Sequence, residues 1–341
     1  MTALPSAPGR PLARRLRRDL LLVALATLLG GALRLWGLDL APPGLHPDEA
    51  ANAFEASCLR GLGAASDGRA WPLTFCMHGR FWVEGTYVWL VALAQGLPLS
   101  LAVQTRLPAA LAGTALIPLA ALLARRLVAP RAGWIAAALL AVEPLAVHYS
   151  RVGLRASLTP PLVAGALVLL LAPPRAPARD AARGALAGAL ASLALWTYTP
   201  MRAWVPLLLA AWVLAYRPRA RRAPWAPALA LGLVTLAFLA ALPWTLAGDG
   251  SARLSEVSLT HQDGGPLALG ARFLRGYALA FAPRALLSGS SGARVLGRGV
   301  TPLLWTSAPL ILLGLARLAR RLPTPRALPL AVARALPCPA R

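Results

Sequence analysis

Apolar runs close to the roughly 20 residues that cross a bilayer core recur along the chain. They fall at about 20–33, 106–123, 133–149, 156–172, 184–200, 203–216, 225–246 and 301–316, with short arginine clusters between them. In lipid every backbone N–H and C=O must be satisfied within the protein, and a helix does this inside one segment. A chain with this rhythm, 57% hydrophobic and 14% charged, is expected to fold as an all-α polytopic membrane protein.

The net charge of +23 would point to a polyphosphate partner in a soluble protein. Here every basic residue other than histidine is an arginine, and the arginines sit between apolar runs, where membrane topology favours positive charge. The expected partner is the lipid bilayer, not nucleic acid.

The segment Arg14-Arg15-Leu16-Arg17-Arg18 precedes the apolar residues Leu20 to Leu33 without a convincing small-residue cleavage site after them. It reads as an uncleaved first span with a cytoplasmic N-terminus, and Arg34-Leu35-Trp36 as its interfacial anchor. The ambiguous stretch is 81-FWVEGTYVWLVALAQGL-97, interrupted early by Glu84 and Gly85. If it crosses, Arg125, Arg126, Arg131, Arg175, Arg179, Arg183, Arg217, Arg219, Arg221 and Arg222 all lie outside; if it lies along the surface, all lie inside. It is therefore expected to be an amphipathic juxtamembrane helix with Trp82, Tyr87 and Trp89 at the interface.

Eight spans and two cytoplasmic termini follow. Residues 1–18 form a basic cytoplasmic N-terminus, and 19–246 a transmembrane module whose first extracytoplasmic loop is 39–105. Residues 247–300 form a second long outer loop, and 301–341 a last span with a Pro/Arg/Ala tail. Short outer turns fall at 150–155 and 198–202.

The polar clusters gather on this outer face: His46, Asp48 and Glu49; Glu84; His148-Tyr149-Ser150-Arg151 with Arg155; and Tyr198 with Arg202. Carboxylates facing guanidinium groups at a dry boundary suit group transfer from a phosphate ester. One acid takes a proton from the acceptor, and arginines hold the departing phosphate.

The order of these pieces carries a resemblance. A basic N-terminus and one span end in HPDEA, followed by 66-SDGRAWPLTF-75 and an aromatic segment. Next come 106-RLPAALAGTALIPLAALLARRL-127, 133-GWIAAALLAVEPLAVHYSRVGLRA-156 and 196-WTYTPMRAWVPLLL-209. The set resembles glycosyltransferase family 39, which includes protein O-mannosyltransferases and lipid A aminoarabinose transferases, over about residues 20–315. The resemblance implies a GT-C transmembrane bundle in the cytoplasmic (inner) membrane of the cell envelope, with its active site on the extracytoplasmic face. It also implies a polyprenyl-phosphate sugar as donor. Direct attack opposite the phosphate would invert the anomeric carbon in a hexosyl or pentosyl transfer. A protein, a lipid or a glycan could be the acceptor.

By position Asp48 matches the family's catalytic acid and Glu49 its neighbour. Arg151, Arg155 and Arg202 are candidates for the donor phosphate, and His46 and Tyr198 for the pocket. Glu84 resembles in position an acid that helps hold a metal in some members, with His261 as its distant partner, so a divalent metal is the one cofactor considered. Arg155 stands where many members carry an acid. Members usually continue with further spans, so residues 301–341 are expected to be a shortened end.

Blander roles stay open beside these. Asp48 and Glu49 after Pro47 also make a good helix start. His46 could be merely solvated, and Arg151 and Arg155 could snorkel to headgroups. Glu143, within a span beside Pro144, could be a neutral carboxyl bonded to the carbonyls that proline leaves free. Cys58 and Cys76 share the first outer loop and could be bonded or free; Cys338 lies in the tail. A transporter or flippase, or an inactive partner subunit for lipid-linked sugars, is the competing function. A transporter predicts repeat-related halves and a polar path at the midplane, whereas here the polar groups sit at one mouth and no internal repeat is evident.

Overall fold

The computed structural model describes residues 10–77, 79, 81–173, 176–215, 225–246, 265–280, 282 and 312. The first helix, α1 (Arg10–Leu35), runs from the basic segment through the first apolar run. A loop then leads to α2 (Pro47–Leu62), which is stopped at both ends by local chemistry. His46 caps its N-terminus, and Gly63, at φ 69°, takes the left-handed conformation that ends it, its N–H bonded to Leu59 O at 3.1 Å.

The stretch 81–97 is not one helix. Residues Phe81–Glu84 form strand β2, antiparallel to β1 (Thr74–Met77) with Thr74 opposite Glu84, so the fold carries a small sheet as well as helices. The helix α3 (Thr86–Ala94) begins only after Gly85. Gly85 donates its N–H to Leu73 O at 2.8 Å, and a Cβ there would lie 2.9 Å from that same oxygen, so the chain closes the hairpin where a side chain would not fit. Tyr87 is fully buried, its hydroxyl donating to Thr105 O at 2.8 Å, and is not an interfacial residue. Burial pushes its phenol up, with the Glu49 carboxylate adding to the effect.

The helix α4 (Leu101–Leu127) starts at Ser100, whose hydroxyl accepts from Val103 N at 3.4 Å. Among the described residues α4 is the one helix long and apolar enough to cross a membrane. The pair α5 (Ala132–Val142) and α6 (Pro144–Ser150), bent by 62°, makes a second if it is a single span. The expected span at 301–316, apart from residue 312, and the expected loop 247–300, apart from 265–280 and 282, lie outside the described residues.

Pro144 removes the N–H that would bond Leu140 O and breaks the helix there. Arg34 repairs the break from α1. Its guanidinium donates to Leu140 O and Ala141 O, both at 3.0 Å, to Gly30 O at 2.9 Å and to Ser150 Oγ at 3.2 Å. Arg34 is therefore not an interfacial anchor, since it is fully buried, while Leu35 and Trp36 are exposed. The carbonyls freed at the bend are filled by Arg34, the part the sequence suggested for Glu143. Gly113 lets α4 approach closely enough, because a Cβ there would run into the Ser150 side chain.

A 3-10 turn (Arg155–Leu158) leads into α7 (Thr159–Leu170), followed by α8 (Pro177–Leu195), α9 (Met201–Ala215), α10 (Trp225–Leu246) and α11 (Pro266–Ala280). Three apolar clusters hold these pieces. One joins α1, α4 and α5 around Ile117. A second joins α7, α8, α9 and α10 around Leu195 and Val205. The third packs α2, the hairpin and α3 onto α4 around Phe75, Val88 and Val91, and so fixes the first loop to the bundle. Cys58 and Cys76 are not joined in a disulfide, and burial, with the nearby Glu55 carboxylate, raises the Cys58 thiol.

Candidate active site

The start of α2 decides what its two acids can do. His46 accepts the Asp48 N–H on Nδ1 at 3.2 Å, so a neutral His46 carries its proton on Nε2. Glu49 reaches back to the His46 N–H at 2.8 Å and completes a capping box. The helix-start role is thus real for both residues.

Glu49 also does more. Fully buried, it accepts from Arg106 Nε at 2.8 Å and Nη2 at 3.3 Å, and from Gly153 N at 2.8 Å. Each carboxylate oxygen takes two hydrogen bonds. Arg106, equally buried, spends its remaining donors on Leu38 O at 2.9 Å, Pro42 O at 3.0 Å and Gly44 O, tying down the loop between α1 and α2. Gly153 is required at this knot, because a Cβ would lie 2.8 Å from Thr105 O. Its own carbonyl accepts from Asn52 Nδ2 at 2.9 Å. Glu49 has no oxygen left over to take a proton from a substrate, and its chemistry is that of a closed support. Asp48 differs completely: it is exposed, and its carboxylate makes no hydrogen bond among the described residues.

A second buried carboxylate stands at the end of β2. Glu84 Oε1 accepts from Arg202 Nη2 at 2.8 Å and from Thr199 Oγ1 at 2.6 Å. Its other oxygen, Oε2, lies 3.7 Å from Arg155 Nη1. The Arg155 guanidinium carbon stands 6.0 Å from the Tyr198 ring centre. Four residues singled out in the sequence, Glu84, Arg155, Tyr198 and Arg202, therefore meet in one cluster with two guanidinium groups to one carboxylate. This arrangement does not fit a metal held by Glu84, whose oxygens already face arginines; His261 lies outside the described residues. Among the described residues no group of three His, Cys, Asp or Glu could hold a metal ion.

Arg151 is not part of this cluster. Its guanidinium donates to Leu33 O at 2.8 Å, Arg34 O at 3.3 Å, Trp36 O at 2.7 Å, Gly37 O at 2.8 Å and Ala41 O at 2.8 Å. A helix leaves its last carbonyls without partners, and a cation there answers both the hydrogen bonds and the dipole. Arg151 caps α1, and all its donors are taken, so it has none for a donor phosphate. Burial, then the positive Arg106 nearby, hold it below the usual arginine range. The loop 151–155 thus serves three places in turn: Arg151 the end of α1, Gly153 the Glu49 knot, and Arg155 the Glu84 cluster.

No protein-family model matches this chain, and no curated protein matches it. Among solved structures it is similar to the oligosaccharyltransferase of Archaeoglobus fulgidus in its apo form, at 18% identity and a TM-score of 0.44. That likeness covers 82% of this chain and 38% of the other, so this chain spans well under half the length of that enzyme. It is also similar to ArnT from Cupriavidus metallidurans bound to undecaprenyl phosphate, at 19% identity and a TM-score of 0.47, over 92% of this chain and 69% of that one. At these identities and TM-scores neither likeness carries an argument about activity.

Sequence reasoning missed Arg106, Asn52, Gly153 and Thr199. For Arg106 a signal existed: it opens an apolar run on the expected outer side, where a buried guanidinium needs a carboxylate partner. The hydroxyl of Thr199 and the backbone of Gly153 carry no comparable mark in the sequence.

Proposed function

We propose that this chain is a polytopic membrane glycosyltransferase of the GT-C kind. It transfers a hexosyl or pentosyl group from a polyprenyl-phosphate donor to an acceptor on the extracytoplasmic face. The observation that carries the reading is the exposed, unbonded Asp48 carboxylate, seated on a helix start that Glu49, Arg106 and Gly153 hold rigid. The resemblance to glycosyltransferase family 39 supports it.

In the proposed step Asp48 accepts the proton of the acceptor hydroxyl as that oxygen bonds to the anomeric carbon. The bond from the anomeric carbon to the phosphate oxygen breaks, and polyprenyl phosphate leaves with the negative charge. Attack opposite the leaving group inverts the anomeric centre. In this scheme Arg155 and Arg202, which meet at Glu84, hold the phosphate by charge-assisted hydrogen bonds before and after departure. Glu49 is a positioning residue in this scheme.

Replacing Asp48 by Asn keeps the size and removes the proton acceptor. Purified Asp48→Asn protein is expected to be stabilised thermally by a polyprenyl-phosphate sugar as the parent is, yet to release polyprenyl phosphate on the order of a hundredfold more slowly. Near-normal release would reduce Asp48 to a helix start. Sidedness is checked by single cysteines in a protein whose native cysteines are Ser. Leu62→Cys is expected to react with an impermeant thiol reagent from outside intact cells, and Ala129→Cys only after lysis. Labelling of Ala129→Cys in intact cells would overturn the surface position of α3 and the eight-span count.

A further inference from the structure

The loop between α2 and the hairpin holds an aromatic arrangement that the proposed chemistry does not use. Trp71 lies flat on Trp89, with ring centres 5.5 Å apart and planes inclined by 11°. Trp89 is half-buried against the cluster under α3, and its indole N–H donates to Pro72 O at 3.0 Å, so the lower ring is fixed. The upper ring is 79% exposed. One face of Trp71 is covered, and the other is open.

The backbone beneath is unusual. Trp71 has φ 50°, the left-handed region that a bulky L residue rarely adopts, and it is the one non-glycine residue with positive φ among those described. Such conformations persist only where surrounding contacts hold them, and they gather at binding sites. The contacts here are many. Glu55 accepts from Ser66 N at 3.0 Å and from Ser66 Oγ at 2.5 Å. Arg69 donates to Asp67 Oδ2 and to Thr74 O, both at 2.8 Å, and rests 4.3 Å above the Trp82 ring. The loop is built to present the Trp71 ring outward. An ordinary core would have turned it in, where burying so large a side chain is favourable.

We propose that the Trp71–Trp89 stack is a platform for a pyranose ring of the acceptor, so that the acceptor of the transferase proposed above is a glycan. The axial C–H face of a sugar ring stacks on an open indole face, and its hydroxyls meet planar charged groups at the edge. Asp67 and Arg69 supply these in the same loop, with side chains 29% and 42% exposed. The other surface that takes exposed tryptophan is the bilayer interface. The Asp67–Arg69 ion pair in the same loop argues against it, since charged groups are costly to carry toward hydrocarbon. Trp89 stands on α3, which begins two residues after Glu84 ends β2.

The test uses the full chain in lipid nanodiscs and three soluble probes, the tetrasaccharides of glucose, mannose and N-acetylglucosamine. Saturation-transfer NMR is expected to show transfer to ring C–H protons of at least one probe. Trp71→Ala is expected to weaken that probe by about tenfold, and Trp71→Phe by less. Trp71→Gly separates presentation from packing: it accepts φ 50° without strain, so it should lose the saccharide while leaving the unfolding midpoint unchanged. Three outcomes overturn the proposal: no probe receives saturation; Trp71→Ala binds as the parent does; or lipids brominated near the headgroup quench fluorescence that Trp71→Phe lacks. Thermal stabilisation by a polyprenyl-phosphate sugar is measured on the same samples and is expected to be equal in parent and Trp71→Ala. If it is absent from the parent the transferase reading fails, and if it persists without saccharide binding only the platform fails.

Discussion

Glu49 and Glu84 are both buried carboxylates between α1 and α4 that face arginine, and they are finished differently. Around Glu49 every acceptor site is used and all five Arg106 N–H groups have partners, one charge against one. Around Glu84 one oxygen is shared by Arg202 and Thr199, while the other accepts no hydrogen bond and faces Arg155 across 3.7 Å. A closed network rigidifies, because in a poorly solvated site each lost partner leaves a costly unpaired group. Among the described residues the Glu84 cluster brings two guanidinium groups to one carboxylate, one oxygen of which makes no hydrogen bond. The first holds the helix start that carries Asp48, and the second is the proposed seat of the donor phosphate.

Breaking the closed site should therefore have the largest effect, and on stability. Arg106→Ala leaves Glu49 buried without its cation, which for such pairs typically costs about 3–5 kcal/mol. Denaturant unfolding in detergent is expected to show a loss of that size, with Glu49→Gln losing less because its amide still accepts from Gly153. A small loss in Arg106→Ala would mean that water reaches the pair and that the site is not closed.

The open site should respond in binding. Arg202→Ala removes a charge-assisted contact of roughly 1.5–3 kcal/mol, so affinity for a polyprenyl-phosphate sugar is expected to fall by at least tenfold. Arg155 still neutralises Glu84, and the unfolding free energy should change less than in Arg106→Ala. If stability falls as far as in that variant while donor affinity is unchanged, the Glu84 cluster is a second closed support and the contrast is lost.

The sequence made the membership of the open site legible and its geometry not. Glu84, Tyr198, Arg155 and Arg202 could be picked out because each is a polar residue at one mouth of an apolar bundle. Arg151 and Arg155 look alike at that level, since they stand four residues apart in the same short turn. Their fates part only because the end of α1, more than a hundred positions away, presents its last carbonyls to Arg151. The hairpin was obscured for a related reason. Residues 81–84 are apolar enough to extend the α3 pattern backwards, and only the Glu84–Gly85 interruption hinted at a boundary. Pairing with 74–77 decides it, and pairing is not a property of one segment. The start of α2 could be read in part, because Pro47, Asp48 and Glu49 act within one turn, while the capping role of His46 was not read from the sequence.

The smallest expected effect distinguishes the two readings of Arg151. As a cap its five carbonyl partners belong to the protein, so Arg151→Ala should lower stability by about 1–2 kcal/mol, the upper range for a cation at a partly buried helix C-terminus. Donor affinity should stay level, because no N–H is withdrawn from the phosphate. Arg151→Lys keeps the charge but cannot span carbonyls as far apart as Leu33 and Ala41, so it should recover part of the stability and again leave the donor untouched. Thermal unfolding with and without polyprenyl-phosphate sugar reads both quantities in one experiment. A parallel loss of donor stabilisation in Arg151→Ala, beyond that of Arg202→Ala, would return Arg151 to the phosphate and show that the α1 cap opens when the donor binds.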